Sequence, residues 1–262
     1  TCRQGRAVHL DYEQGARLTK ERYQRLARGM GVELASLDDD ALQVACMPRV
    51  YLETQDAIDS LLPVVEGAAL VIVDSLRAAF PHADENSSDV RSYLDALNHL
   101  SERTGACIVV IHHARKPNAQ NGGTATHAIR GSSALFDACQ RVYVFEGDKD
   151  CPTTVHHQKD RVMGSTVADF GLVSEDVAGA SGSRHGLAVR HLEAEQVSDM
   201  QSTRMLNREE NMVDRVAEKI AVFFAHRECT WSGSKRDVFD LVRGNEKLFR
   251  AAWAKLEEAG II

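Results

Sequence analysis

Two stretches of the chain are apolar at every position and then stop abruptly at polar residues. They are Ala69-Leu-Val-Ile-Val-Asp74-Ser75 and Cys107-Ile-Val-Val-Ile-His112-His113. A short run that is apolar on both faces predicts a strand inside a parallel sheet covered on both sides. The polar tips then lie at the carboxyl ends of the strands, where open α/β sheets bind ligands. Between the two runs, Val90, Tyr93, Leu94 and Leu97 recur at helical spacing, and Gly105 ends the helix. A strand–helix–strand crossover is right-handed in nearly all sheets, which makes the two strands parallel neighbours.

The same patterning predicts the remaining elements. Residues 6–10 form a strand that leads into Asp11-Tyr-Glu13. A helix follows with Tyr23, Leu26, Ala27 and Met30 on one face; Thr19 is its N-cap, and Gly29 and Gly31 end it. Residues 50–52 read as a short strand, 56–65 as a helix broken by Pro63 or beginning a new turn there, and 77–86 as a loop over the ligand edge. Ser88 or Asp89 caps the helix at Val90. Residues 116–126 have loop composition, 129–138 helical and 142–145 strand character. From Thr153 onward the pattern alternates, which predicts antiparallel strands at 155–161, 167–173 and 187–192 that extend one sheet edge. A polar stretch then reads as a linker. Val213, Val216, Ala217, Ile220, Phe223 and Phe224 mark an amphipathic helix; helices at 235–242 and 246–259 follow, separated by the turn Arg243-Gly-Asn245 and closed by Gly260. The expected class is α/β: a parallel-sheet core over 1–197, a linker at 198–211 and a small helical module over 212–262.

Composition narrows the function. The 262 residues suit one α/β domain with an appendage. A net charge of −7 gives no general pull toward nucleic acid or membrane, so any such contact needs a local patch. The six cysteines are scattered without a C-x-x-C pair, which predicts a reduced cytoplasmic protein without a zinc module. No apolar run approaches the ~18 residues of a membrane span, and no signal peptide is expected.

In order and spacing, the Asp74-Ser75 strand, Val110-Ile-His-His-Ala-Arg-Lys116 and Ile129-Arg-Gly-Ser-Ser-Ala-Leu135 resemble the RecA-like P-loop ATPases, in particular the RepA-like hexameric helicases and their AAA-family relatives. The resemblance covers roughly the first three-quarters of the chain. The segment from Gly244 to Gly260 is similar to the winged-helix tail of many such proteins. The resemblance implies ATP and Mg²⁺ bound between subunits of a hexameric ring, and helicase-like work on DNA in plasmid, phage or mobile-element replication. The family also carries a phosphate-binding loop, G-x-x-x-x-G-K-[ST], before the strand that leads to Glu13. This chain contains no Gly-Lys dipeptide and begins at Thr1. The expectation is that the first strand and its loop lie upstream, that the segment alone binds nucleotide poorly, and that a wing would follow Ile262.

The candidate residues follow from chemistry and resemblance together. A carboxylate at the tip of an apolar strand suits Asp74 to hold Mg²⁺ through water, although such an aspartate also caps turns. The resemblance gives Glu13 the task of polarising the attacking water, with Asp11 as rival and a solvated loop carboxylate as the plain alternative. Adjacent strand residues point to opposite faces, so His112 and His113 do not readily share one metal; the resemblance makes His113 the γ-phosphate sensor. Asp74, Ser75, His113 and Arg130 are the expected nucleotide contacts. Arg141 is the arginine offered to a neighbouring subunit, and Lys159 and Arg161 form a second basic pair; each could equally be a surface ion-pair partner. Arg115 and Lys116, at the stem of the loop, and Lys247 and Arg250, in the last helix, are candidate nucleic-acid contacts. From Val213 onward nine Lys and Arg face eight Asp and Glu, a near-neutral balance that suits a protein-binding module as well. Two other readings stay open: a regulatory RecA-fold ATPase without helicase activity, and a non-catalytic scaffold for the terminal module.

Overall fold

The computed structural model describes residues 4–84, 90–113, 133–147, 152–178, 185–225 and 233–262. The chain forms two compact units, Thr1–Ala194 and Glu195–Ile262.

The first unit is built on a parallel sheet of β1 (Arg6–Asp11), β2 (Leu42–Cys46), β3 (Ala68–Asp74) and β4 (Cys107–Ile111), in the order β2-β1-β3-β4. Asp11 lies opposite Asp74, and Asp74 opposite Ile111, so the strands end nearly flush at one edge. Alternation along the strands sends Val8, Leu10, Val71 and Val73 to one face. They are buried there with Ile58 of α2 (Gln55–Asp59), Val65 of α3 (Leu62–Val65), Leu76 of α4 (Leu76–Ala79) and Val90, Leu94, Leu97 and Leu100 of α5 (Val90–Thr104). Each such side chain contributes about 1.5–3 kcal/mol of burial free energy. This is the expected α/β core, and β3 and β4 are parallel neighbours as the crossover rule requires.

The two apolar strands differ in one respect. β3 is hydrogen-bonded on both sides, whereas β4, among the described residues, pairs only with β3. Val109 and Ile111 are exposed on the face opposite the core. The expected covering of both faces does not hold at Val109 and Ile111 of β4.

Several local expectations change for identifiable reasons. β2 escaped notice because its alternation spans only five residues after an acidic turn. Residues 50–52 are irregular: the Leu52 amide donates to the Ala79 carbonyl, and the Leu52 side chain is fully buried. The helix expected over 56–65 is two short ones, with Pro63 in the first turn of α3, where a missing N–H costs nothing. The expected loop from Arg77 begins within α4, whose Leu76 and Ala79 are buried. Residues 85–89 and 129–132 lie outside the described residues, so the capping residues before Val90 and the expected start of the next helix do too; that helix, α6, is seen at Ser133–Ala138.

α1 (Ala16–Gly29) starts from Gly15, whose φ of 77° suits glycine. Thr19 is thus not the N-cap but a buried residue inside the helix. At the far end Gly29 lies against β8 so closely that a Cβ there would overlap the Leu187 carbonyl.

The alternating region forms β5 (Arg141–Glu146), β6 (Thr153–Asp160), β7 (Phe170–Val177) and β8 (Gly186–Leu192), all antiparallel. Among the described residues they make a sheet of their own rather than an extension of the parallel one.

The second unit contains α7 (Ala194–Ala225), α8 (Lys235–Val242) and α9 (Glu246–Glu258). Ala217, Ile220, Val238, Phe249, Ala252 and Leu256 form its core. Residues 198–211 are helical, part of the 32-residue α7, not an irregular linker. Their Met, Leu, Arg, Glu and Gln favour helix, but with most of these side chains exposed no apolar stripe announces it. A capping box of Ser234 and Asp237 starts α8, and the Asn245 side chain caps α9. No helix among the described residues is long and apolar enough to cross a membrane.

Candidate active site

The flush carboxyl edge of β1, β3 and β4 gathers the polar tips. Asp11, the last residue of β1, is fully buried. Its Oδ1 accepts from the amides of Glu13 (3.0 Å) and Gln14 (2.8 Å), and its Oδ2 from the Thr19 hydroxyl. Burial pushes its pKa up, but the hydrogen bonds from Thr19, Gln14 and Glu13 outweigh this and hold the carboxyl below its ordinary value. Asp11 is therefore committed to shaping the turn from β1 into α1. That leaves Glu13, two residues on and with a third of its side chain exposed, as the carboxylate able to meet a ligand.

Glu13 is held from two directions. The Ser75 hydroxyl donates to its Oε1, and His113 Nε2 lies 3.4 Å from the same oxygen. Ser75 is buried, whereas His113 is 61% exposed. The Tyr12 amide donates to the Asp74 carbonyl at 2.7 Å, which carries the β1–β3 pairing just past the strand ends. Glu13, Asp74, Ser75 and His113 are thus brought to one edge, where the Asp74–Ser75 peptide bond is cis. Here Ser75 engages the carboxylate of Glu13.

Asp74 is largely buried. Burial first, then the neighbouring carboxylates of Glu13 and Asp11, push its pKa up; His9 and Arg22 oppose this. A site with surplus negative charge suits a cation. Among the described residues no three His, Cys, Asp or Glu side chains are arranged to enclose a metal ion. A hydrated ion met by the Asp74 carboxylate and completed by ligand oxygens is one arrangement compatible with this chemistry.

Sequence reasoning missed His9 and Tyr23. Tyr23 Oη lies 3.0 Å from His9 Nδ1, and His9 Nε2 lies 3.8 Å from Asp74 Oδ2. The available signal was alternation: His9, two residues before Asp11, must share its face.

The remaining candidates make their contacts with other residues or lie outside the described residues. Arg141, on β5, donates through Nε to Asp160 on β6 at 2.9 Å; Asp160 also accepts from the Val162 and Met163 amides at 2.8 Å. Lys159 donates to the Phe136 and Asp137 carbonyls at the end of α6, and Arg161 follows β6 in the adjoining turn. Lys247 pairs with Glu209 at 2.6 Å, and Arg250 with Glu246 at 2.7 Å, so both candidate DNA contacts of α9 are occupied within their own unit. Arg115, Lys116 and Arg130 lie outside the described residues.

Among solved structures, the RadB recombinase resembles this chain at 18% identity and a TM-score of 0.47, over 64% of this chain and 76% of that one. Residues 1–119, which carry the whole parallel sheet and every residue of the carboxylate cluster, match the family described as an AAA domain.

Proposed function

We propose that this chain is the core of a RecA-like ATPase that hydrolyses ATP with Mg²⁺. The observation that carries the reading is the convergence of Glu13, Asp74, Ser75 and His113 at the carboxyl edge of a parallel sheet. In this scheme Glu13 accepts the proton of the attacking water. Ser75 and His113 both approach Oε1, which leaves Oε2 for that proton. Asp74 would hold the Mg²⁺ through water, and the ion would supply positive charge against the transferring phosphoryl group. In the same scheme His113, exposed beside Glu13, would donate to the γ-phosphate.

The scheme needs a phosphate-binding loop that the sequence, without a Gly-Lys dipeptide, does not supply. Among the described residues β4 pairs only with β3, and Val109 and Ile111 are exposed on its face, an edge that one more parallel strand bearing such a loop would fit. Arg141 would act on a neighbouring subunit's nucleotide only by leaving Asp160, and in that ring arrangement Arg130 would contact the nucleotide it serves. Work on DNA, helicase-like and of plasmid or phage type, is the reading we favour for the energy released, with Arg115, Lys116, Lys247 and Arg250 as contacts and a winged helix over the second unit.

ATP turnover by the full gene product with and without DNA is the test. Turnover stimulated by single-stranded DNA supports the motor; turnover indifferent to DNA supports the regulatory ATPase.

A further inference from the structure

We propose that Tyr23 and His9 are positioning residues that orient the carboxylate of Asp74, an inference that rests on the role given to Asp74 above. In the β1–β3 register His9 lies opposite Ile72 and Asp11 opposite Asp74, so His9 and Asp74 share one face of the sheet. α1 lies over that face and brings the Tyr23 ring edge-on to the His9 ring, 5.9 Å between centroids. The Tyr23 hydroxyl is 3.0 Å from His9 Nδ1. Burial, with Asp11 and Asp74 nearby, pushes the phenol's pKa up, so the hydroxyl keeps its proton and can donate it.

A neutral imidazole has one donor and one acceptor nitrogen. With Nδ1 accepting from Tyr23, the ring proton belongs on Nε2. That nitrogen is buried and has no hydrogen-bond partner. It faces Asp74 Oδ2 at 3.8 Å, beyond the hydrogen-bond range of about 2.7–3.2 Å, so the proposal requires the two side chains to close that gap. An N–H aimed at Oδ2 fixes the carboxylate plane and leaves Oδ1 to the ligand.

The test uses the ¹⁵N,¹³C-labelled 262-residue chain at mildly alkaline pH. Long-range ¹H–¹⁵N spectra report the tautomer of His9, whose signals are identified by their loss in H9Q. The expected result is the Nε2–H form in the wild type and a mixture of tautomers in Y23F, with the Asp74 carboxyl carbon shifted in both variants. The Nδ1–H form in the wild type, or an unchanged tautomer in Y23F, overturns the proposal, as does an unmoved Asp74 signal. If Y23F fails to fold, H9Q alone decides through the Asp74 carbon. In the full gene product, H9Q should lower kcat about tenfold while KM for ATP stays within twofold. The expected spectra, together with a full gene product that neither binds nor hydrolyses ATP, would uphold the relay and refute the nucleotide site.

Discussion

The hydroxyl of Ser75 donates to the carboxylate of Glu13, 62 residues earlier in the chain. The contact joins the tips of two neighbouring parallel strands and leaves one carboxylate oxygen of Glu13 for chemistry. On the proposed reading of Glu13 as general base, removing it and removing its support should differ in size. In the full gene product, E13Q should lower kcat for ATP by 10²–10⁴-fold, the usual worth of a general base, roughly. S75A should lower it about tenfold, the worth of one hydrogen bond to a charged group. Steady-state phosphate release checks both.

Asp11 and Asp74 face each other across β1 and β3 but should respond to pH in opposite senses. The folded-state pKa of Asp11 is lowered, so its contribution to stability is complete above the unfolded value of about 3.9 and is lost as pH falls through the folded value. That of Asp74 is raised, so the folded state gains as this group takes up a proton, and the gain is lost as pH rises through the folded value. At pH 7, D11A should destabilise the first unit by about 2–3 kcal/mol, because Thr19 and two amides lose an ionised acceptor. D74N should stabilise it by about 0.5–1 kcal/mol by removing repulsion among the carboxylates. Urea unfolding at pH 7 and pH 4 measures both effects.

Gly29 allows α1 to reach β8. A methyl group there meets the Leu187 backbone carbonyl, which cannot rotate aside as a flexible side chain would. G29A should cost about 1–3 kcal/mol, read as a lower urea midpoint for the first unit. The reciprocal change G186A should do the same, since its Cβ would stand 2.6 Å from the Gly29 amide nitrogen.

Asn245 caps α9 by accepting from the amides of Lys247 and Leu248. N245A should destabilise the second unit by about 1 kcal/mol. Tryptophan fluorescence during unfolding follows this, because Trp253 packs with Phe224 and Phe249 of the same core.

Much of the fold was legible because its signals are local and periodic. β3, α5 and β4 stand out as a strand, helix and strand of clear period, and their polar tips marked the site edge. Features that depend on what packs against a residue were not legible. Asp11 and Glu13 look alike in sequence, and only the buried Thr19 hydroxyl and the two turn amides show that Asp11 is spent on structure. The hold of Ser75 on Glu13 arises from strand register, which no local pattern encodes. Exposure of the β4 face could not be read either, since an apolar run looks the same at an edge as in the middle of a sheet. The helix through 198–211 was missed because propensity without an apolar stripe reads as polar chain.

The central claim is that Glu13 and Asp74 belong to one ATP-hydrolysing site. Its most direct test is phosphate release from ATP by the full gene product, beside nucleotide binding, for the wild type and E13Q. The account predicts Mg²⁺-dependent turnover in the wild type, and an E13Q variant that binds ATP as tightly but turns it over at least 100-fold more slowly, about the lower bound for a lost general base. Turnover undiminished in E13Q, or a wild type that binds no ATP, would contradict it.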